Sequence, residues 1–389
     1  MAPLEFETPP DARHNIPRMR PLTCSFALAF ALFGATTQNT PALPHFTTTI
    51  QLDTTSDPSA NVSMGDLDGD GDLDIVIAKG RHDPYVDKVL LNDGKGHFVT
   101  SDLGPTADRT YTAALADLDG DGDLDIVVSN DSPDKKLLYF NDGKARFTIA
   151  GTWGDPQWST RNAAIADLNG DGRPDVIAAN RPGPSYVCLN DGRGQLKSPC
   201  IPIPADSATT IVPADFDKDG DVDLAVPSRD GGQSHVYMND GKAGFARTIA
   251  FGPSSSTARV GAAADFDGNG TIDLAVGDEA AASLTVYMND GKGHLTPGFH
   301  IADKQRTPYA MTAADLNGDR HPDIVFGYTE GPHSVFFNDG SGKRFLEVKF
   351  GDKAGAAYGF AIGDINGDGK LDIALARSGA PNVLYLGEK

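Results

Sequence analysis

The chain has 389 residues, 39% of them hydrophobic, with 44 glycines, 26 prolines and a formal net charge of -21. That length and composition allow a sizeable soluble core with many turns. The charge excludes a general nucleic-acid binder, which would cluster Lys and Arg against phosphates, and it suits a protein loaded with cations.

Residues 1–42 read as a leader. Arg13, Arg18 and Arg20 precede the apolar run "LTCSFALAFALFGA", Leu22 to Ala35, in the order of a secretory signal, with Met19 as an alternative start and cleavage between Ala35 and Ala42. The run is shorter than the ~20 residues of a membrane span. No later segment is apolar enough, so no transmembrane segment is expected, and the exported chain is placed outside the cell or in the periplasm. A single domain is expected over 43–389.

After "HFTTTIQL", His45 to Leu52, the first strongly patterned stretch is "GDLDGDGDLDIVIA", Gly65 to Ala78, with aspartates at 66, 68, 70, 72 and 74. Carboxylates a few ångströms apart repel by about 1 kcal/mol per pair even in water. Their crowding calls for a hard divalent cation, held by oxygen ligands along a loop that Gly69 and Gly71 bend. An EF-hand would place Glu at the twelfth loop position. Ile77 stands there, inside a β-branched run, so this loop feeds a strand.

The loop returns as "DLDGDGDLD" at Asp117, "DLNGDGRPD" at Asp167, "DFDKDGDVD" at Asp215, "DFDGNGTID" at Asp265, "DLNGDRHPD" at Asp315 and "DINGDGKLD" at Asp364, at intervals of 51, 50, 48, 50, 50 and 49 residues. Each unit runs in one order: a small-residue strand, the acidic loop, a β-branched strand, a third strand, an "NDG" hairpin turn and an aromatic-led fourth strand. Seven four-stranded units of this length predict an all-β, seven-bladed β-propeller. Small residues just before each loop (Gly65, Ala116, Ala166, Ala214, Ala264, Ala314, Gly363) suit the crowded axis, and Phe98, Phe147, Phe245 and Phe345 suit the wider rim. In the third unit Cys188 and Cys200 flank one hairpin, where export permits a disulfide; two free buried thiols are the alternative. The last unit ends at "VLYLGEK" without a fourth strand, and "HFTTTIQL" is expected to supply it and close the ring.

These repeats resemble the FG-GAP and VCBS repeat family, whose best-known members are the integrin α-subunit propellers; "YGFAIGDINGDGKLDIALA", Tyr358 to Ala376, lies nearest the family pattern. No unit carries the complete FG-GAP signature after the loop, which brings the chain nearer a secreted bacterial VCBS-type protein than an integrin. The resemblance implies up to seven structural Ca²⁺ ions, held by the side chains of loop residues one, three, five and nine and by the carbonyl of residue seven. In this chain those are Asp66, Asp68, Asp70, Asp72 and Asp74, then Asp117, Asp119, Asp121, Asp123 and Asp125, then Asp167, Asn169, Asp171, Arg173 and Asp175. The fourth and fifth sets are Asp215, Asp217, Asp219, Asp221 and Asp223, and Asp265, Asp267, Asn269, Thr271 and Asp273. The last two are Asp315, Asn317, Asp319, His321 and Asp323, and Asp364, Asn366, Asp368, Lys370 and Asp372. Arg320 replaces the usual glycine in the sixth loop, placing bulk and positive charge at the bend, while Asn269 and Thr271 lower the charge of the fifth. The seven loops hold 27 of the 54 acidic residues, and seven Ca²⁺ would bring the net charge from -21 to -7.

The opposite face, made by the loops entering each blade and those joining its second and third strands, is expected to carry recognition. Six residues before each first Asp stand Ala60, Tyr111, Arg161, Thr209, Arg259, Tyr309 and Tyr358, a ring at the tunnel mouth with Trp158 nearby. Tyrosine and arginine there suit sugars or acidic groups. The chain therefore reads as a monomeric, secreted binding or adhesion module for a glycan or an extracellular protein, with no nucleic-acid partner. A polysaccharide lyase is the alternative, with Arg161 or Arg259 neutralising an acid and Tyr111, Tyr309 or His82 as base. No GxSxG, HExxH or phosphate-loop motif is present.

Overall fold

A computed structural model describes residues 43–388; the leader expected over residues 1–42 lies outside them. The described chain forms 28 strands in seven antiparallel four-stranded sheets. Blade 1 comprises Ser59–Gly65, Asp74–Lys79, Lys88–Asn92 and Phe98–Asp102, and blades 2 to 6 repeat this order, beginning at Thr110, Thr160, Val212, Ala258 and Pro308. Blade 7 takes three strands from Ala356–Gly363, Asp372–Ser378 and Val383–Tyr385. Its fourth is Thr49–Gln51, which pairs with Val383–Tyr385 in antiparallel register, Ile50 opposite Leu384. Backbone bonds between His45 and Glu388 extend the closure. The seven-bladed propeller is thus complete, with the ring sealed by the front of the chain.

The core lies at the junctions between blades. Ile75 and Ile77 pack toward blade 7, in one cluster with Ala374 and Ala376, whereas Val76 and Ala78 pack toward blade 2 with Ile126 and Val128. A strand buried on both faces must be apolar at every position, and that explains why the "DIVIA" run does not alternate. Each of the seven junctions carries its own apolar cluster of this kind. Near the axis the first strands of neighbouring blades pack together. There a Cβ on Gly65 would fall 2.6 Å from Leu124 Cδ1, and one on Gly363 would fall 2.5 Å from Leu73 Cδ1, so these two positions have no room for a side chain.

Cys188 and Cys200 form a disulfide in blade 3. Among the described residues no helix is long and apolar enough to cross a membrane.

Candidate functional site

All seven acidic loops share one backbone design. The sixth residue donates its N–H to the first aspartate in every loop, from Gly71 to Asp66 at 3.0 Å through Arg320 to Asp315 at 2.7 Å. That bond needs a left-handed backbone, which glycine supplies at φ 92° in Gly71. Arg320 adopts φ 72° at the same position, so the sixth loop keeps the fold of the others despite its bulk.

The ninth residue is the structural pivot. Asp74, Asp125, Asp175, Asp223, Asp273, Asp323 and Asp372 are wholly buried. Asp74 accepts the N–H of Leu67 at 2.9 Å and of Asn92 at 2.8 Å, so its carboxylate ties the loop to the third strand. Burial pushes Asp74, Asp125, Asp223 and Asp273 up to about 6 and Asp323 to about 7, against the pull of those backbone N–H groups. Asp175 and Asp372 are raised for the same reason.

In four loops three carboxylate oxygens lie within 4.8 Å of one another: Asp66, Asp68 and Asp70; Asp117, Asp119 and Asp125; Asp215, Asp217 and Asp223; Asp265, Asp267 and Asp273. Burial, then the neighbouring charges, raises Asp68 and Asp119, and one oxygen of Asp217 is buried without a hydrogen-bond partner. Oxygen-only donors under mutual repulsion fit a hard divalent cation. The loops at Asp167, Asp315 and Asp364 keep the backbone design with Asn169, Asn317 and Asn366 in the third position. In three loops the position-seven side chain, Asp72, Arg173 or His321, lies against a turn glycine, Gly94, Gly192 or Gly340, whereas in the seventh loop Lys370 pairs with the loop carboxylate of Asp368 at 2.8 Å.

From sequence, the Asn of each "NDG" turn reads as a turn former only. In the structure its side-chain amide crosses to the acidic loop of the neighbouring blade, with Asn141 donating to the Leu67 carbonyl and Asn338 to that of Phe266, at 2.7 to 2.8 Å in six blades. In blade 7 Gly387 stands at this position; its N–H bonds Asp372 as the Asn92 N–H bonds Asp74, but glycine supplies no amide to cross the junction.

On the other face, a cavity of about 240 Å³ at the tunnel mouth is lined by all seven residues of the expected ring, Ala60, Tyr111, Arg161, Thr209, Arg259, Tyr309 and Tyr358. Six of them sit where the pairing of the first strand skips one residue, as between Ser59 and Asn61 or Ala357 and Gly359. A bulge of this kind re-aims its extra side chain. The guanidinium of Arg259 lies 3.3 Å from the Tyr309 ring centroid and that of Arg161 lies 4.7 Å from Tyr111, while Tyr309 and Tyr358 meet edge to face at 4.8 Å. Arg81, His82, Arg181 and Arg229, from loops between second and third strands, complete the rim.

Trp158 does not join this lining. It stacks on Tyr186 at 4.1 Å with 7° between the planes, because the carbonyls of Trp158 and Asp155 are held by the buried ammonium of Lys136 at 3.0 and 3.1 Å. Burial pushes Lys136 down to about 8. No sequence signal marks this lysine. Trp153 is buried, its indole N–H bonded to the Val128 carbonyl.

The FG-GAP-like repeat family model matches residues 66–128, 117–178, 167–226, 215–276, 265–326 and 315–375. A search of curated proteins returns no match to this chain. Among solved structures, BBS1N in complex with ARL6DN superposes in a mercury-soaked crystal with TM-score 0.59 and 15% identity, covering 88% of this chain and 97% of that one. A lead-soaked crystal of the same complex gives TM-score 0.61 and 14% identity over the same shares. At that identity the likeness is one of fold.

Proposed function

We propose that this chain, which belongs to the FG-GAP-like repeat family, is an exported calcium-loaded propeller that binds a glycan or an extracellular protein at its tunnel mouth. In this reading residues 1–42 are removed as a leader and the seven acidic loops hold structural Ca²⁺. The carrying observation is the convergence of the bulged residues, tyrosine and arginine among them, on one cavity. That BBS1N is seen with a protein partner keeps a protein ligand within the proposal.

The test is an array of glycans and extracellular proteins probed with the Ca²⁺-loaded chain and with Arg161→Ala and Tyr358→Ala variants. Binding by the parent and its loss in both variants is the expected result. A ligand retained by both would move the site away from the mouth.

One observation favours a lyase as the second reading: the Tyr111 hydroxyl lies 3.0 Å from His82 Nε2, beside Arg161. Burial raises Tyr111, the direction opposite to that of a tyrosinate base, and lowers His82. His82 is accordingly the base in that reading, and release of an unsaturated uronate from an acidic polysaccharide, abolished in His82→Ala, is its signature.

A further inference from the structure

We infer that the tunnel mouth selects a carboxylated sugar, with Arg81 and Arg259 reading the carboxylate; this rests on the glycan form of the binding reading above. In a chain of net charge -21, the cavity lining holds five arginines and His82 and no aspartate or glutamate. Partners for the arginines lie just behind the lining. Arg161 pairs with Asp131 at 2.7 Å, Arg181 with Asp230 at 2.8 Å, and Arg229 with Glu279, which also lies 3.6 Å from Arg259. Three carboxylates thus serve four guanidiniums, and among the described residues Arg81 has none.

Arg81 has no carboxylate partner among the described residues and one guanidinium N–H without an acceptor. Its Nη1 donates to the neutral Ser378 hydroxyl at 3.1 Å, and its Nε is buried without an acceptor. A guanidinium N–H withheld from water and left unbonded is costly, so an incoming anion recovers more there than at an already paired arginine. The residue is also held in place: it adopts φ 65°, and its guanidinium lies 3.8 Å from the Tyr358 ring centroid. Arg259, with only a shared carboxylate, approaches the same ring at 5.9 Å while stacking on Tyr309. Stacking fixes each guanidinium plane, so little entropy is lost when an anion arrives.

The rest of the lining argues for a sugar. Asn61, Thr112, Asn162, Thr209 and Thr210 contribute amides and hydroxyls, and only Ala60 and Val260 are purely apolar. Such a lining suits hydrogen bonding to ring hydroxyls. The cavity volume of about 240 Å³ accommodates a single ring. A long polyanion would meet the repulsion of an acidic protein beyond the rim, whereas one terminal acid sugar places its charge only where the arginines are.

Calorimetric titration of the full Ca²⁺-loaded chain with glucuronate, galacturonate, their neutral parent hexoses and a glutamate-rich peptide tests this. The expected result is a uronate bound about tenfold or more tightly than its parent hexose, with that preference shrinking as salt rises. Arg81→Gln and Arg259→Gln should each weaken the uronate about tenfold and narrow its preference over the parent hexose. Should either variant misfold, the salt dependence of the parent protein still decides the matter. A hexose bound as tightly as its uronate, with binding lost in Tyr358→Ala, overturns acid selection and leaves the mouth as a binding site. Preference for the acidic peptide overturns the sugar assignment and leaves a protein ligand. No uronate bound at millimolar concentration overturns the inference, and the array with Arg161→Ala and Tyr358→Ala then decides separately whether the mouth binds anything.

Discussion

On the acidic-loop face, the seven repeats place the same bond in the same place: residue six donates to the first aspartate at 2.7 to 3.1 Å in every loop. On the tunnel face, the seven equivalent ring positions hold three tyrosines, two arginines, one threonine and one alanine. Both faces belong to the same blades, so the difference is not one of fold. Where a buried carboxylate must satisfy two N–H groups, only aspartate serves and the repeat is strict. Where a bulge aims a side chain into a cavity, the fold accepts many residues.

The largest effect that sharpens this contrast concerns pH. In the metal-free protein five buried loop carboxyls sit at about 6 or 7 against an ordinary 3.8, so the folded state holds protons more tightly than the unfolded one. Their contribution is complete below about pH 4 and is lost as pH rises through 6 to 7. His333, pushed down to about 4 by burial, acts in the opposite direction over the same window, but it is one group against five. The chelated protein should therefore melt several degrees lower at pH 7.5 than at pH 4.5, and a saturating cation should reverse the order by displacing those protons. Melting curves at both pH values check this; equal midpoints without metal would count against the buried carboxyls.

Next in size is Asp74→Ala, which orphans the N–H groups of Leu67 and Asn92 and should cost about 3 kcal/mol in urea unfolding. Asn239→Ala removes the amide shared by the Leu168 and Val222 carbonyls and should cost about 1 to 2 kcal/mol. Arg320→Gly relieves a left-handed side-chain-bearing residue and should stabilise the fold by about 1 kcal/mol. Smallest is Tyr358→Phe on the tunnel face, expected to change stability by less than about 0.5 kcal/mol. A tunnel-face change as costly as Asp74→Ala would erase the contrast between the faces.

The strict face was largely legible in the sequence. Seven aspartate loops at regular spacing mark the blades, and the missing last strand points to His45–Leu52 as the closure. The tunnel ring also follows from counting back along each repeat, but the bulges that turn Tyr111 or Arg259 into the cavity depend on one skipped backbone pairing, which no residue type announces. Asn141 shows a second limit: it bonds a carbonyl 74 residues away, while its local sequence already explains it as a turn. Trp158 lies near the ring in sequence and is drawn off by Tyr186 and the buried Lys136, a contact between side chains that only the assembled blades create.

The central claim is that cations in the acidic loops hold the blades in register, each worth about 2.7 kcal/mol when free cation is ~100 times its dissociation constant. Its most direct test is the melting curve of the purified chain at neutral pH before chelation, after exhaustive chelation, and after Ca²⁺ is restored. The account predicts a marked fall in the midpoint and its recovery on adding Ca²⁺. Superimposable curves, with no metal released into the chelator, would contradict it.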